Sequence, residues 1–175
     1  MALCVLVCSV AANGQEFNFT LDGSQEVPPN GSNASGAAQL LYDPATQRFD
    51  LDLQVFGIEL GELMNVGPNA TPVHVHLAPV GQNGAIVVDL GFFASFTPSG
   101  QGIRLQIQDE LFGGQQGNLF SDPNVNQAAL LAGDLYVNIH TQAFPGGQIR
   151  GQIVPEPGTA LLLGAGLGVA LLRRR

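Results

Sequence analysis

The chain contains no lysine, and of its six arginines three are the terminal Arg173, Arg174 and Arg175. Without that tail the body is strongly acidic, since the whole chain already carries a formal charge of −8. Such a body repels polyanions, which excludes nucleic acid as a partner and argues against anionic membrane surfaces. Cysteine is nearly as scarce, because Cys4 and Cys8 are the only two and both fall in the apolar start Met1 to Ala12. A chain cut after that start has no thiol, so neither a disulfide framework nor a cysteine nucleophile is available to it. Charged residues make up only 11% of the sequence, and there is neither a Gly-x-Ser-x-Gly elbow nor a glycine-rich loop leading into a lysine. Acyl-transfer and phosphate-cradling machinery of the usual kinds is therefore missing.

What is plentiful is Gly, Asn, Gln, Ser and Thr, a composition suited to short strands joined by turns. Alternation confirms that bias. Leu135, Val137 and Ile139 alternate with Tyr136, Asn138 and His140, which predicts a strand with one face in a core and the other toward solvent or a site. Phe144-Pro145-Gly146-Gly147 breaks the pattern as a tight hairpin connection into a strand from Gln148 to Val154. Val73, Val75 and Leu77 likewise leave His74 and His76 together on the opposite face, about 6.6 Å apart along the strand. Phe17, Phe19 and Leu21 mark a first strand, and Phe49, Leu51, Leu53 and Val55 a later one. A turn at Asp43 to Gln47 joins the latter to Ala37 to Tyr42. Further strands are expected at Ala85 to Leu90 and around Ile103, Leu105 and Ile107. Gly23 to Gly36, with Pro28-Pro29, reads as a surface excursion, and Ile58 to Asn69 as loop or one helical turn. Asp122-Pro123 opens the single expected helix, Asn124 to Ala132, which Gly133 ends. A length of 175 residues and this element pattern fit one all-β domain, an antiparallel sandwich or barrel with one short helix.

Asn138-Ile139-His140-Thr141 followed by Pro145-Gly146-Gly147-Gln148-Ile149-Arg150-Gly151-Gln152-Ile153 resembles the closing motif of the CHRD (chordin-type) domain. Leu21-Asp22-Gly23-Ser24-Gln25-Glu26-Val27-Pro28-Pro29 resembles its opening motif, His74-Val75-His76 its histidine pair, and Gly81-Gln82-Asn83-Gly84 the loop that follows. The resemblance runs from about Phe17 to Ile153. It implies a Greek-key β-sandwich, immunoglobulin-like or superoxide-dismutase-like, and a non-enzymatic binding or matrix module. Gln148 stands where the family usually has a glutamate.

The two ends resemble processing signals, which divides the chain into residues 1–12, 13–154 and 155–175. Met1 to Ala12 is similar to a secretory signal lacking its basic start, which suggests a start codon farther upstream. Lipidation at Cys8 is disfavoured by the bulky Val7 before it. Pro155-Glu156-Pro157, the apolar run Gly158 to Leu172 and three arginines resemble the PEP-CTERM sorting signal of Gram-negative bacteria. As a helix that run spans about 22 Å, short of the roughly 30 Å hydrocarbon core, so it suits transient insertion before cleavage by an exosortase. The resemblance implies the secretion machinery and exosortase as partners. It implies a cell-surface or extracellular-matrix destination, with matrix components as further partners. The Asn-x-Ser/Thr triplets at Asn18, Asn30, Asn33 and Asn69 match glycosylation acceptors, and in so Asn-rich a chain chance is the favoured reading.

All three histidines of the chain, His74, His76 and His140, fall on non-core faces. A His-x-His strand joined by one histidine from a neighbouring strand can converge on Cu or Zn, which would make this a metal-binding or redox protein, with affinity weakening as protons compete near about pH 6.5. The pattern is similar to the copper site of Cu,Zn superoxide dismutase, but the further histidines and the cysteines of that enzyme are missing and its activity does not transfer. The alternative is a structural cluster in which the imidazoles bond loop carbonyls. Arg150 is expected on the face of His140, seeking a carboxylate such as Glu26 or Asp134 in a structural ion pair. Asp50 and Asp52 are read as solvent-facing. The sorting reading predicts that mature protein recovered from envelope or culture lacks Arg173 to Arg175. Intact mass checks this, and a stable membrane form with the complete carboxyl terminus would replace sorting by permanent anchoring.

Overall fold

A computed structural model describes residues 14–67, 70–100 and 102–155. The alternating segments form the strands β1 (Gln15–Asp22), β2 (Ser35–Asp43), β3 (Arg48–Phe56), β4 (Val73–Leu77), β5 (Ala85–Asp89), β6 (Thr97–Ser99) and β7 (Gly102–Leu111). A small hairpin of β8 (Gly114–Gln116) and β9 (Leu119–Ser121) follows, then β10 (Leu135–Ile139) and β11 (Ile149–Ile153). Nine of these make one curled antiparallel sheet in the order β5-β4-β10-β11-β1-β2-β3-β7-β6. The chain leaves the β1-β2-β3 meander to lay β4 and β5 beyond β10, then returns to add β7 and β6 on the far side.

The register stacks apolar residues in rows across the strands. Phe17, Leu40, Leu51 and Ile107 form one row, and Phe19, Ala38, Leu53 and Leu105 the next. On the other half Val88, Val75 and Val137 form a third. These side chains belong to one buried cluster, because the curl turns the two halves of the inner face toward each other. The expected core positions are buried, with Leu77 alone only half-buried at the end of β4.

Helix α1 (Leu90–Phe93), a single turn, was not expected; it follows β5 and touches both β4 and β7. Helix α2 (Pro123–Ala132) starts where the sequence places it. Asp122 accepts from Asn124 N at 2.9 Å, Pro123 occupies the first turn, and Gly133 caps the end in the left-handed conformation. Its Leu130 closes one end of the core, and the buried Tyr42 hydroxyl donates to Gln127 Oε1 at 2.8 Å. The ambiguous stretch after β3 holds a 3₁₀ turn at Leu60–Glu62. The three-residue strands β6, β8 and β9 are too short to show a period. As expected, Asp52 faces out, paired with Arg104, and Asp50 accepts from Asp109 N. Among the described residues no helix is long and apolar enough to cross a membrane; the run Gly158 to Leu172 lies outside them, as do Cys4, Cys8 and Asn69.

The seam between the first and last strands is a close contact in the sheet. Regular pairing there is limited to Asp22 opposite Arg150, and the Gln25 side chain continues it, donating to Thr20 O at 2.9 Å and accepting from Gln152 N at 3.2 Å. Gly151 permits the approach, since a Cβ there would stand 2.6 Å from Thr20 O and 2.7 Å from Leu21 Cγ. A backbone oxygen cannot swing aside as a flexible side chain can. Gly151→Ala is therefore expected to destabilise the fold by about 1–3 kcal/mol, measured by urea unfolding.

Candidate metal centre

The face of β4 and β10 opposite the core is not solvated. His74 lies across from Asn138 and His76 across from Tyr136, and all four side chains are buried. These strands are therefore covered on both faces, so of the two expected surroundings for the second face, solvent or a site, it does not meet solvent. Three loops cover the second face: Gly23 to Ala34, the turn 79–84, and the β10–β11 connection. The last leaves β10 through His140, whose N–H donates to Pro72 O at 2.8 Å. It rejoins the ladder where Gln148 N donates to Ile139 O at 2.7 Å.

The three histidines converge. Ring centroids are 5.7 Å apart for His74 and His76, 5.3 Å for His74 and His140, and 6.1 Å for His76 and His140. One ligand nitrogen from each lies within 4.8 Å of the other two, and relative exposures are 0%, 8% and 4% for His74, His76 and His140. Among the described residues no carboxylate or thiol joins this group.

Two of the rings have their tautomer fixed by backbone. His76 Nδ1 lies 3.0 Å from Gly84 O, and His140 Nδ1 lies 3.0 Å from Pro145 O. A carbonyl only accepts, so in each ring Nδ1 carries the proton and Nε2 the lone pair. Both Nε2 atoms, and both nitrogens of His74, are buried without a hydrogen-bond partner. The structural-cluster alternative explains the carbonyl contacts but leaves these four nitrogens bare, at the cost burial exacts from an unmet polar group. An ion would meet that need. Bound at about 2.0–2.1 Å, it would set its ligand nitrogens about 3.3 Å apart, and the three nitrogens already lie within 4.8 Å of one another.

Burial also holds the rings neutral. It pushes His74 down to about 3, helped by the neighbouring His140 and His76 and opposed by the Thr71 backbone. It takes His76 to about 4, with the Gly84 carbonyl opposing and His140 and Arg150 assisting. His140 is lowered by the same cause against the pull of the Pro145 carbonyl. The expected proton competition near 6.5 thus moves to lower pH.

Arg150 occupies the predicted face but does not make the predicted pair. Only 1% exposed, it forms no ion pair with Glu26 or Asp134 among the described residues. Its guanidinium carbon stands 3.4 Å from the centre of the Tyr136 ring. Nη1 donates to Gln82 O at 2.8 Å and Nη2 to Gln152 Oε1 at 3.1 Å. The cause is reach: the turn 79–84 brings carbonyls to the guanidinium, and Tyr136 offers a π face. His76 stacks on Tyr136 at 4.9 Å and 8° between planes. Because β10 lies between β4 and β11, the imidazole and the guanidinium approach that ring from opposite sides. Asp134 sits before β10, where its carbonyl accepts from Ala78 N.

Glu26 reaches the same layer. Its Oε2 accepts from Asn138 Nδ2 at 3.4 Å, while its Oε1 and Asn138 Oδ1 are buried acceptors without donors. Both stand within 2.6 Å of where a Cβ on Gly147 would be. Burial raises the Glu26 carboxyl to about 7 against the opposing pull of Arg150 and the Asn138 bond, and a proton on it turns one orphan acceptor into a donor. Gln148 uses both ends of its amide, accepting from Thr141 Oγ1 at 2.6 Å and donating to Ser32 Oγ at 3.1 Å. It pins the opening loop to the hairpin. Pro155 ends the described chain, and Glu156, Pro157 and Arg173 to Arg175 lie outside it. Sequence reasoning missed Tyr136, Asn138 and Gln25 as parts of this layer, although Tyr136 and Asn138 share the even-numbered face of His140.

A sequence profile of the CHRD domain matches residues 17–153. No curated protein and no solved structure matches the chain.

The titrations predict a stability profile for the metal-free protein. Below about pH 6.5 unfolded histidines take up protons, whereas folded His74 and His76 stay neutral to about 3 and about 4. The unfolded state binds more protons across that window, so stability falls as pH falls through it. Glu26 works in the other sense: it keeps its proton to about 7 when folded against an ordinary 4.5, so its contribution is lost as pH rises between the two. Three histidines outweigh one carboxyl. Urea midpoints are expected to drop from pH 6.5 to 4.5, and Glu26→Gln to steepen that drop while raising stability above pH 7.

Proposed function

The chain belongs to the CHRD domain family, and from that premise we propose that its domain is a metal-binding module holding one copper or zinc ion on His74, His76 and His140. One observation carries the reading. Three buried imidazoles turn partnerless nitrogens toward one another, and two of them are already set in the ligating tautomer by Gly84 and Pro145. Metal-bound histidines characteristically give their second nitrogen to a carbonyl or carboxylate in this way, which orients the ring and raises its basicity. Burial of all three rings favours an ion that is held over one presented to a substrate.

The module serves as a non-enzymatic binding or matrix component, exported and sorted to the cell surface or extracellular matrix. Support for the destination comes from the sequence alone: the apolar start and the Pro155-Glu156-Pro157 tail, with its apolar run and arginines. A bound ion suits a domain that reaches an oxidising compartment with no cysteine among its described residues to close its loops.

Calorimetric titration of Zn(II) and Cu(II) into the purified protein near neutral pH is expected to show saturable one-to-one binding. His76→Ala or His140→Ala is expected to abolish it. Zinc at a hundred times its Kd should add about 2.7 kcal/mol to unfolding stability. Lack of saturable binding, or binding unchanged by both substitutions, would leave the histidines as a structural polar cluster.

A further inference from the structure

We propose that this site selects monovalent copper, Cu(I), over Cu(II) and Zn(II). The inference rests on the three-histidine reading and concerns which ion that donor set prefers.

The donor set is neutral. His74, His76 and His140 are the whole group among the described residues, so an ion there keeps its full charge within its coordination shell. The desolvation cost of an ion grows as the square of its charge, so in the same buried space a divalent ion costs about four times a monovalent one before ligation offsets it. The surroundings do little to relieve this. Arg150 places a guanidinium on the far side of Tyr136 from His76. Asp89 stands across from His74, but its carboxylate is turned to the Thr71 N–H and hydroxyl and is not among the grouped ligands. Glu26 is turned to Asn138.

Coordination number points the same way. Zn(II) seeks a tetrahedron and Cu(II) a tetragonal shell, so either needs at least one donor beyond three imidazoles. With no fourth His, Cys, Asp or Glu in the group, that donor must be a water or a neutral carbonyl or amide oxygen, inside a site whose rings are 0%, 8% and 4% exposed. Cu(I), with a filled d shell, accepts three nitrogens in a trigonal arrangement and needs no water. The fixed Nε2 lone pairs of His76 and His140, with either nitrogen of His74, supply that number.

The test is competition of the purified protein against bicinchoninate for ascorbate-reduced copper without oxygen, beside Cu(II) and Zn(II) titrations of the same sample. The expected Kd for Cu(I) is at least about 100-fold below that for either divalent ion. For copper, that ratio raises the Cu(II)/Cu(I) potential by about 120 mV over the free couple, at 59 mV per tenfold. Zn(II) or Cu(II) binding as tightly as Cu(I) would overturn this inference and leave the three-histidine site standing. No binding of any of the three ions would overturn both. His140→Glu, which puts an anion in the donor set, is expected to shrink the Cu(I) preference at least tenfold, and an unchanged preference in that folded variant would overturn the charge argument.

Discussion

The antiparallel register between β4 and β10 is the constraint on which everything else in this protein depends. It sets Val75 against Val137 on the core side and, by the same pairing, His74 against Asn138 and His76 against Tyr136 on the other. The side-chain period of a strand is two, so a slip of one residue on either strand would turn its polar side chains into the core and its apolar ones into the polar layer. The hydrophobic core thus holds the histidine site in place. The residues that stabilise the fold and those that face the site are alternate members of the same two strands.

Burying the second face of a sheet is costly when that face is polar, because each group taken from water must find a partner. The loops over β4, β10 and β11 meet most of that demand with their own carbonyls and amides. Arg150 gathers the carbonyls of the turn 79–84, Gln152 donates to Ala78 O and Gly133 O, and Asn30 donates to Gly147 O and Gln148 O. The Arg150–Tyr136–His76 stack ties the layer together with little net charge. Against so thorough a network, the bare nitrogens of three adjacent histidines form a connected set of unmet groups that one ion would satisfy.

An ion at that position would connect β4 to the start of the β10–β11 loop, two segments more than sixty residues apart in the chain. It would thus do for this cysteine-poor domain what a cross-link does elsewhere, constraining long loops that otherwise hold only by hydrogen bonds. The Cu(I) preference follows from the same economy of charge. A face assembled from amides, carbonyls and neutral imidazoles has few anions to offer, and the ion it suits best is the one that asks for least compensation.

Local pattern in the sequence was enough for the strands with four or more alternating residues, the helix between Asp122 and Gly133, and the co-facial placement of His74 and His76. Those features depend on neighbours in the chain, through the period of two and through capping chemistry. Motif order pointed from sequence to the CHRD family, which the match over residues 17–153 establishes. Tertiary structure alone decided that β10 lies beside β4 and so brings His140 to the pair. It also decided that three loops bury the second face, and that Arg150 meets carbonyls and an aromatic ring in place of a carboxylate. These outcomes depend on pairings across the chain and on where loops come to rest. A sequence marks which residues can pair or be covered, and only the folded backbone fixes which of them meet.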